Sequence, residues 1–193
     1  YPHWDRAQAG DIIFKDVNND GVINGLDRVR SNKTTTPVFT GALNISLAYK
    51  QFDLSLLLQG ATGAVRYFDT ESGDIGNYVK YDFIDRWTPD NPDAKKPRAY
   101  NRTDVYWKGN ESTHYLLNAD YVRLKTIELG YTLPGSISTK IGINSLRIYF
   151  SAYNLFTYSP GLHDYDPETV TEGAYAGQYP PQKVINGGIT LTF

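Results

Sequence analysis

The sequence predicts an all-β fold of antiparallel strands. They form either the wall of a transmembrane barrel with long external loops or the half-buried sheet of a secreted β module. Three observations lead there. Apolar residues alternate with polar or small ones in five separate stretches, the period at which a strand turns its side chains to opposite faces. No apolar run approaches the roughly 18 residues of a spanning helix, whereas a spanning strand needs only about 9–11 with alternate positions apolar. The connections between the stretches are short and long in turn, the order seen in outer-membrane barrels with short periplasmic turns and long external loops.

Composition narrows the classes. The chain has 193 residues, with 19 basic and 21 acidic side chains, and carries no basic stripe of the kind that holds nucleic acid. It has no Cys, which excludes a disulfide framework and a thiolate metal site. Its mean hydropathy of -0.45 is compatible with a membrane, because only alternate residues of a barrel strand face lipid. Sixteen Tyr and eight Phe suit strands and the aromatic girdles of barrels. The chain contains no Met and no recognisable signal peptide, as expected of a processed or recombinant chain or of a piece of a larger polypeptide.

Residues 1–37 read as a polar external loop, with Ile12-Ile13-Phe14 as its one apolar run. Within it, residues 16–27 have the spacing of a calcium loop. Asp16, Asn18, Asp20, Asn24 and Asp27 fall at its oxygen-bearing positions, Val22 offers its backbone carbonyl, and Gly21 stands at the sharp turn. Calcium takes six to eight or so oxygens in flexible geometry, which such a set suits. Asp27 replaces the Glu of an EF-hand, as in dockerin-type loops, and the extended reading of residues 12–14 argues against flanking helices. A turn rich in Asn, Asp and Gly that binds nothing is the plainer alternative. A bound ion would be structural, pinning a loop that has little apolar core.

Residues 38–193 read as strands and their connections. Leu43, Ile45, Leu47 and Tyr49 share one face of the first strand. A tight turn at 49–52 leads into the second, with Phe52, Leu54, Leu56 and Leu58 on one face and Asp53, Ser55, Leu57 and Gln59 on the other. Residues 60–119 show no sustained period, as in a long external loop. The third strand, 121–133, places Ile127, Leu129, Tyr131 and Leu133 on the apolar side. Strict alternation puts Arg123 and Lys125 there too, at about 2–4 kcal/mol per charge at mid-bilayer, a cost that is avoided if the first half of the strand projects beyond the lipid. After a short turn at 134–144, the fourth strand, 145–157, sets Leu146, Ile148, Phe150 and Ala152 against Arg147, Tyr149, Ser151 and Tyr153. A loop at 158–182 precedes the last strand, where Ile185, Ile189, Leu191 and Phe193 share one face. Five strands are too few to close a membrane barrel, which needs about eight at least.

Enzyme chemistry finds little support. His3, His114 and His163 are far apart, no nucleophile elbow is present, and Asp82 and Asp85 read as solvated loop charges.

Several blocks, in their order and spacing, resemble one family. They are residues 10–24 (GDIIFKDVNNDGVIN), 86–92 (RWTPDNP), 121–134 (YVRLKTIELGYTLP), 154–156 (NLF), 165–168 (YDPE) and the last strand. Together they resemble the C-terminal part of the SusC/RagA class of TonB-dependent outer-membrane transporters of Bacteroidetes. Ala9, where that class usually has Pro, and Gln182-Lys183-Val184 before the last strand depart from the pattern. The resemblance implies an antiparallel transmembrane segment, the last five strands of a barrel of about 22 filled by a plug. It implies a multi-pass location in the bacterial outer membrane and contact with its lipid. The partners implied are the remainder of the barrel and plug, a SusD-type surface lipoprotein, and the TonB complex reached through the N-terminal part. The implied activity is import of oligosaccharides or peptides, with no bond made or broken. A secreted all-β glycan- or protein-binding module with a dockerin-like calcium loop is the competing expectation. Trp87, Tyr100, Tyr106, Trp107, Tyr115, Tyr175 and Tyr179 fall in the external connections. Aromatic faces beside polar groups suit sugars or peptides, but packing of the loops onto each other or onto the lipoprotein lid is the favoured role for each, and Trp87 reads as a loop anchor.

Overall fold

The computed structural model describes residues 7–67, 80–100, 112–162, 165–168 and 181–193. The chain forms two compact units, a sheet unit of Thr34–Val65 with Asn118–Phe193 and a loop unit of Tyr1–Lys33 with Arg66–Leu117. The strands are β1 (Phe39–Tyr49), β2 (Phe52–Thr62), β3 (Val65–Tyr67), β4 (Leu116–Asn118), β5 (Tyr121–Thr132), β6 (Ser145–Tyr158) and β7 (Val184–Thr192). Five of them make one antiparallel sheet in the order β1-β2-β5-β6-β7, and β3 pairs with β4 in a small separate sheet.

The register follows the apolar alternation. Placing one apolar residue opposite another keeps each face of the sheet uniform, and a slip of one residue would invert a whole strand. One row across the sheet is Ile45, Leu56, Ile127, Ala152 and Ile185, and the next is Leu47, Leu54, Leu129, Phe150 and Gly187. The opposite face carries Ser46, Ser55, Glu128, Ser151 and Asn186 in one row. At the two-residue turn between β1 and β2, Lys50 takes a left-handed backbone with φ 54°, as hairpin turns of this length require. Between β5 and β6 the short connection holds one α-helical turn, α2 (Gly135–Ser138), and a 3-10 turn, Thr139–Ile141. The buried Ser138 hydroxyl donates to the Gly135 carbonyl there at 3.3 Å.

One expectation is corrected. Arg123 does not share a face with Ile127 and Leu129. Leu58 and Leu57 of β2 pair with Leu124 and Thr126 of β5, so Lys125 is an extra residue without a partner. The same break recurs against β6, where Leu124 pairs with Phe156 and Thr126 with Tyr153, and Asn154 adopts a left-handed φ of 50°. A β-bulge of this kind inserts a residue and re-aims the side chains beyond it. Arg123 therefore pairs with Gln59 and Thr157 on the polar face, where it is only 1% exposed. The Arg123 charge that strict alternation assigned to the apolar face is on the polar one.

The sheet has no dry layer over its apolar side among the described residues. Leu43 is 56% exposed, Phe150 51% and Ile189 64%, although all three are large apolar side chains. Among the apolar residues of the sheet, tight burial falls instead on Ala61, Ala152 and Tyr121.

The loop unit is stitched by long-range contacts instead of regular elements. Its one α-helix among the described residues is short, α1 (Lys80–Ile84). The Arg98 amide donates to the Gly10 carbonyl at 2.8 Å, and the Arg98 guanidinium pairs with Asp11 at 2.6 Å and lies 4.7 Å from the Tyr100 ring centre. Tyr100, 2% exposed, receives the Ile12 amide on its hydroxyl at 3.3 Å. Trp87 stands over Gly10, whose φ is +86°.

Candidate functional site

Charge on the polar face of the sheet gathers at two places. Toward the short turns, Arg147 donates through Nε to Asp53 at 3.0 Å and through a terminal nitrogen to Glu128 at 2.8 Å. Gly130 sits beneath this trio, and a side chain at that position would collide with the Arg147 guanidinium and the Asp53 carboxylate. Toward the long connections, the Arg123 guanidinium pairs with Asp166 and, at 2.8 Å, with Glu168. Glu168 also accepts from the Tyr121 hydroxyl at 2.7 Å and from the Gln59 amide at 3.2 Å. Sequence reading placed Arg147, Asp53 and Gln59 on the polar face but found neither cluster. The available signal was opposite charge on polar positions of adjacent strands, visible for Asp53, Glu128 and Arg147. For Arg123 no such signal exists, since its strand neighbours are Gln59 and Thr157 and its carboxylates lie in the connection after β6.

The residues of the calcium-type loop are tied by local hydrogen bonds. Asp16 accepts the amides of Asn19 at 2.7 Å and Gly21 at 2.9 Å, and Asp20 accepts that of Val22 at 2.8 Å. The Asn18 side-chain amide donates to Asp20 at 2.8 Å. Asn24 caps a single 3-10 turn, Gly25–Asp27, and Asp27 returns the bond to the Asn24 amide at 2.7 Å. Asp27 also accepts from the Val17 amide at 2.8 Å, closing the loop on itself. These amides, that of Asn24 foremost, hold the Asp27 carboxyl below the usual carboxylate range, because they favour its charged form. No helix precedes the loop among the described residues. Among the described residues no three acidic or histidine side chains form a metal-holding group. A cation here would therefore need the Asn18 and Asn24 amide oxygens and the Val22 carbonyl as well, and this all-oxygen set fits a hard divalent ion.

The loop aromatics that can be placed are packed. Trp87 covers Gly10, Tyr100 is buried, and the Tyr115 ring centre lies 5.8 Å from that of Tyr67. Tyr106, Trp107, Tyr175 and Tyr179 lie outside the described residues, as do His3 and His163.

Comparison with known proteins agrees with this geometry. No family model matches the chain. It is 30% identical over 202 residues to TonB-dependent receptor P3 of Formosa agariphila, an alignment covering 97% of the chain and 19% of the receptor. It is 28% identical over 203 residues to TonB-dependent receptor P26 of the same organism, covering 98% of the chain and 20% of that receptor. The chain thus spans about a fifth of the length of the curated relatives it matches. Among solved structures, the RagAB peptide importer in its open-open state superposes with a TM-score of 0.64 at 28% identity, covering 90% of the chain and 19% of its counterpart. The closed-closed state gives a TM-score of 0.62 at the same identity and coverage.

Proposed function

We propose, from the premise that this chain fits the C-terminal part of a SusC/RagA-type TonB-dependent transporter, that it builds part of the wall and outer mouth of an outer-membrane importer. The observation that carries this reading is the five-stranded sheet with one uncovered apolar face and one polar face bearing ion pairs. In hydrocarbon, a sheet of this kind is stable only as part of a closed ring, with apolar side chains toward lipid and polar ones toward the lumen. Its relatives are receptors and transporters, and the wall makes and breaks no bonds. The five strands would be the last of about 22. The long connections would meet a SusD-type lipoprotein, and import would be powered through TonB from the N-terminal part of the protein. Similarity to a peptide importer favours peptides over oligosaccharides as cargo.

Outer-membrane fractionation of the native source, with mass spectrometry of the detergent-extracted species, tests the reading. Recovery in a much larger polypeptide with a plug and further strands supports it. Recovery as a free soluble protein of this length would favour the secreted binding module, which must bury the same apolar face in a dry core.

The proposal extends to residues 16–27 as a structural calcium loop held by Asp16, Asn18, Asp20, Val22, Asn24 and Asp27. Its ion would tie together a segment stabilised by few buried apolar side chains, since only the folded loop gathers the ligands. A chelator is expected to raise protease sensitivity between residues 11 and 30, and Asp20→Ala is expected to do the same without chelator. Equal digestion with and without calcium would remove the ion from the account.

A further inference from the structure

We infer that Asp166-Pro167-Glu168 is a strap folded onto the inner face of the wall and pinned there by Arg123. This part of the connection between β6 and β7 then lines the import path instead of standing outside the mouth. The word inner rests on the barrel reading above; the pinning itself is a matter of contacts within one unit.

Every sheet residue that holds the strap lies on the polar face. Gln59, Arg123 and Thr157 are register partners in a single row, and Tyr121 lies two residues along the same face of β5. Arg123 spends all three guanidinium nitrogens here: one on Asp166, one on Glu168 at 2.8 Å, and Nε on the Thr157 hydroxyl at 3.1 Å. Glu168 has one oxygen on Arg123 and the other shared by Tyr121 and Gln59. Asp166 shapes the strap by accepting the Glu168 backbone amide at 2.9 Å. The Arg123 and Asp166 side chains are 1% and 8% exposed.

A guanidinium so deeply buried is tolerated only when its partners are in place. The strap supplies both carboxylates and the sheet supplies the cation, so neither is satisfied without the other. The bulge at Lys125 belongs to the same device, because without the extra residue Arg123 would turn to the apolar face. Two carboxylates on one guanidinium leave a surplus negative charge. Glu168, 38% exposed, presents it on the polar side.

The test uses the whole transporter in intact cells. Cys is absent from this chain, so in a transporter whose remaining Cys residues, if any, are replaced by Ser, Pro167→Cys places a single reporter thiol on the buried strap residue. Two membrane-impermeant maleimides report on it, one small and one attached to a large polymer. With Arg123 present, both are expected to label slowly. With Arg123→Gln, the small reagent is expected to label about tenfold faster or more, because the pin is lost. The polymer reagent is expected to stay slow, because the strap lies inside. Equal small-reagent rates in the two backgrounds would overturn the pin. Fast labelling by the polymer reagent would overturn the inner placement.

Assembly is checked in each variant by the shift in gel mobility on heating that folded barrels show. If Arg123→Gln does not assemble, Glu168→Gln takes its place. It keeps the Asp166 pair, so a smaller rise with the small reagent is expected, and no rise overturns the inference. Failure of the unmutated protein to reach the outer membrane would instead count against the barrel reading.

Discussion

Replacing Leu56 with Arg is expected to cut sharply the amount of folded protein in the outer membrane. Leu56 lies in the middle row of the apolar face, between Ile45 and Ile127. A cationic side chain on the lipid face at this depth costs about 2–4 kcal/mol in barrels, and less toward either rim. The neighbouring substitution Ser55→Arg provides the contrast. Ser55 points to the other face and pairs with Glu128, so a cation there meets a carboxylate and costs little. Heat-modifiable barrel recovered from outer membranes measures both variants. Equal loss from the two would mean that the faces have been assigned to the wrong surroundings.

Gly10→Ala is expected to loosen the loop unit by several kcal/mol for the addition of one methyl group. Two costs combine. An L-residue at the left-handed φ of Gly10 pays about 1–2 kcal/mol. A Cβ there would also lie 2.5 Å from the Trp87 ring, and moving a packed side chain aside costs about 1–3 kcal/mol. Trp87→Ala separates the two. In that background the steric part disappears and Gly10→Ala should cost only the backbone part, a coupling that a double-mutant cycle reads directly. Protease susceptibility of the loop unit in rising urea is the measurement. Additive effects of the two substitutions would show that ring and glycine act independently.

The strands were legible because their information is local. Leu43, Ile45 and Leu47 alternate with Asn44 and Ser46, and the hairpin to Leu54, Leu56 and Leu58 follows with a two-residue turn. The face of β6 and the parity of β7 were readable for the same reason. β5 was misread where alternation meets an insertion, since a period of two has no means of registering Lys125 as an extra residue. The loop at 16–27 was legible as a turn network, because its Asp and Asn side chains bond amides only a few residues away. The Arg123 cluster was not, because its carboxylates lie 43 and 45 residues off in sequence. Trp87 was legible as an anchor, but no local pattern connects it to Gly10. Such pairings are set by the path of the long connections, to which periodicity is blind.

Lys125 makes β5 a strand written in two frames. On one side of it odd-numbered residues face the apolar surface, and on the other side even-numbered ones do. A gap placed one position too early or late when aligning relatives therefore does more than misplace a residue. It exchanges inside for outside over the outer third of the strand. Deleting Lys125 would likewise break no ion pair among the described residues, yet it would turn over Tyr121, Val122, Arg123 and Leu124 together. For this stretch the length of the strand, as much as the chemistry of its residues, decides which surface each side chain reaches.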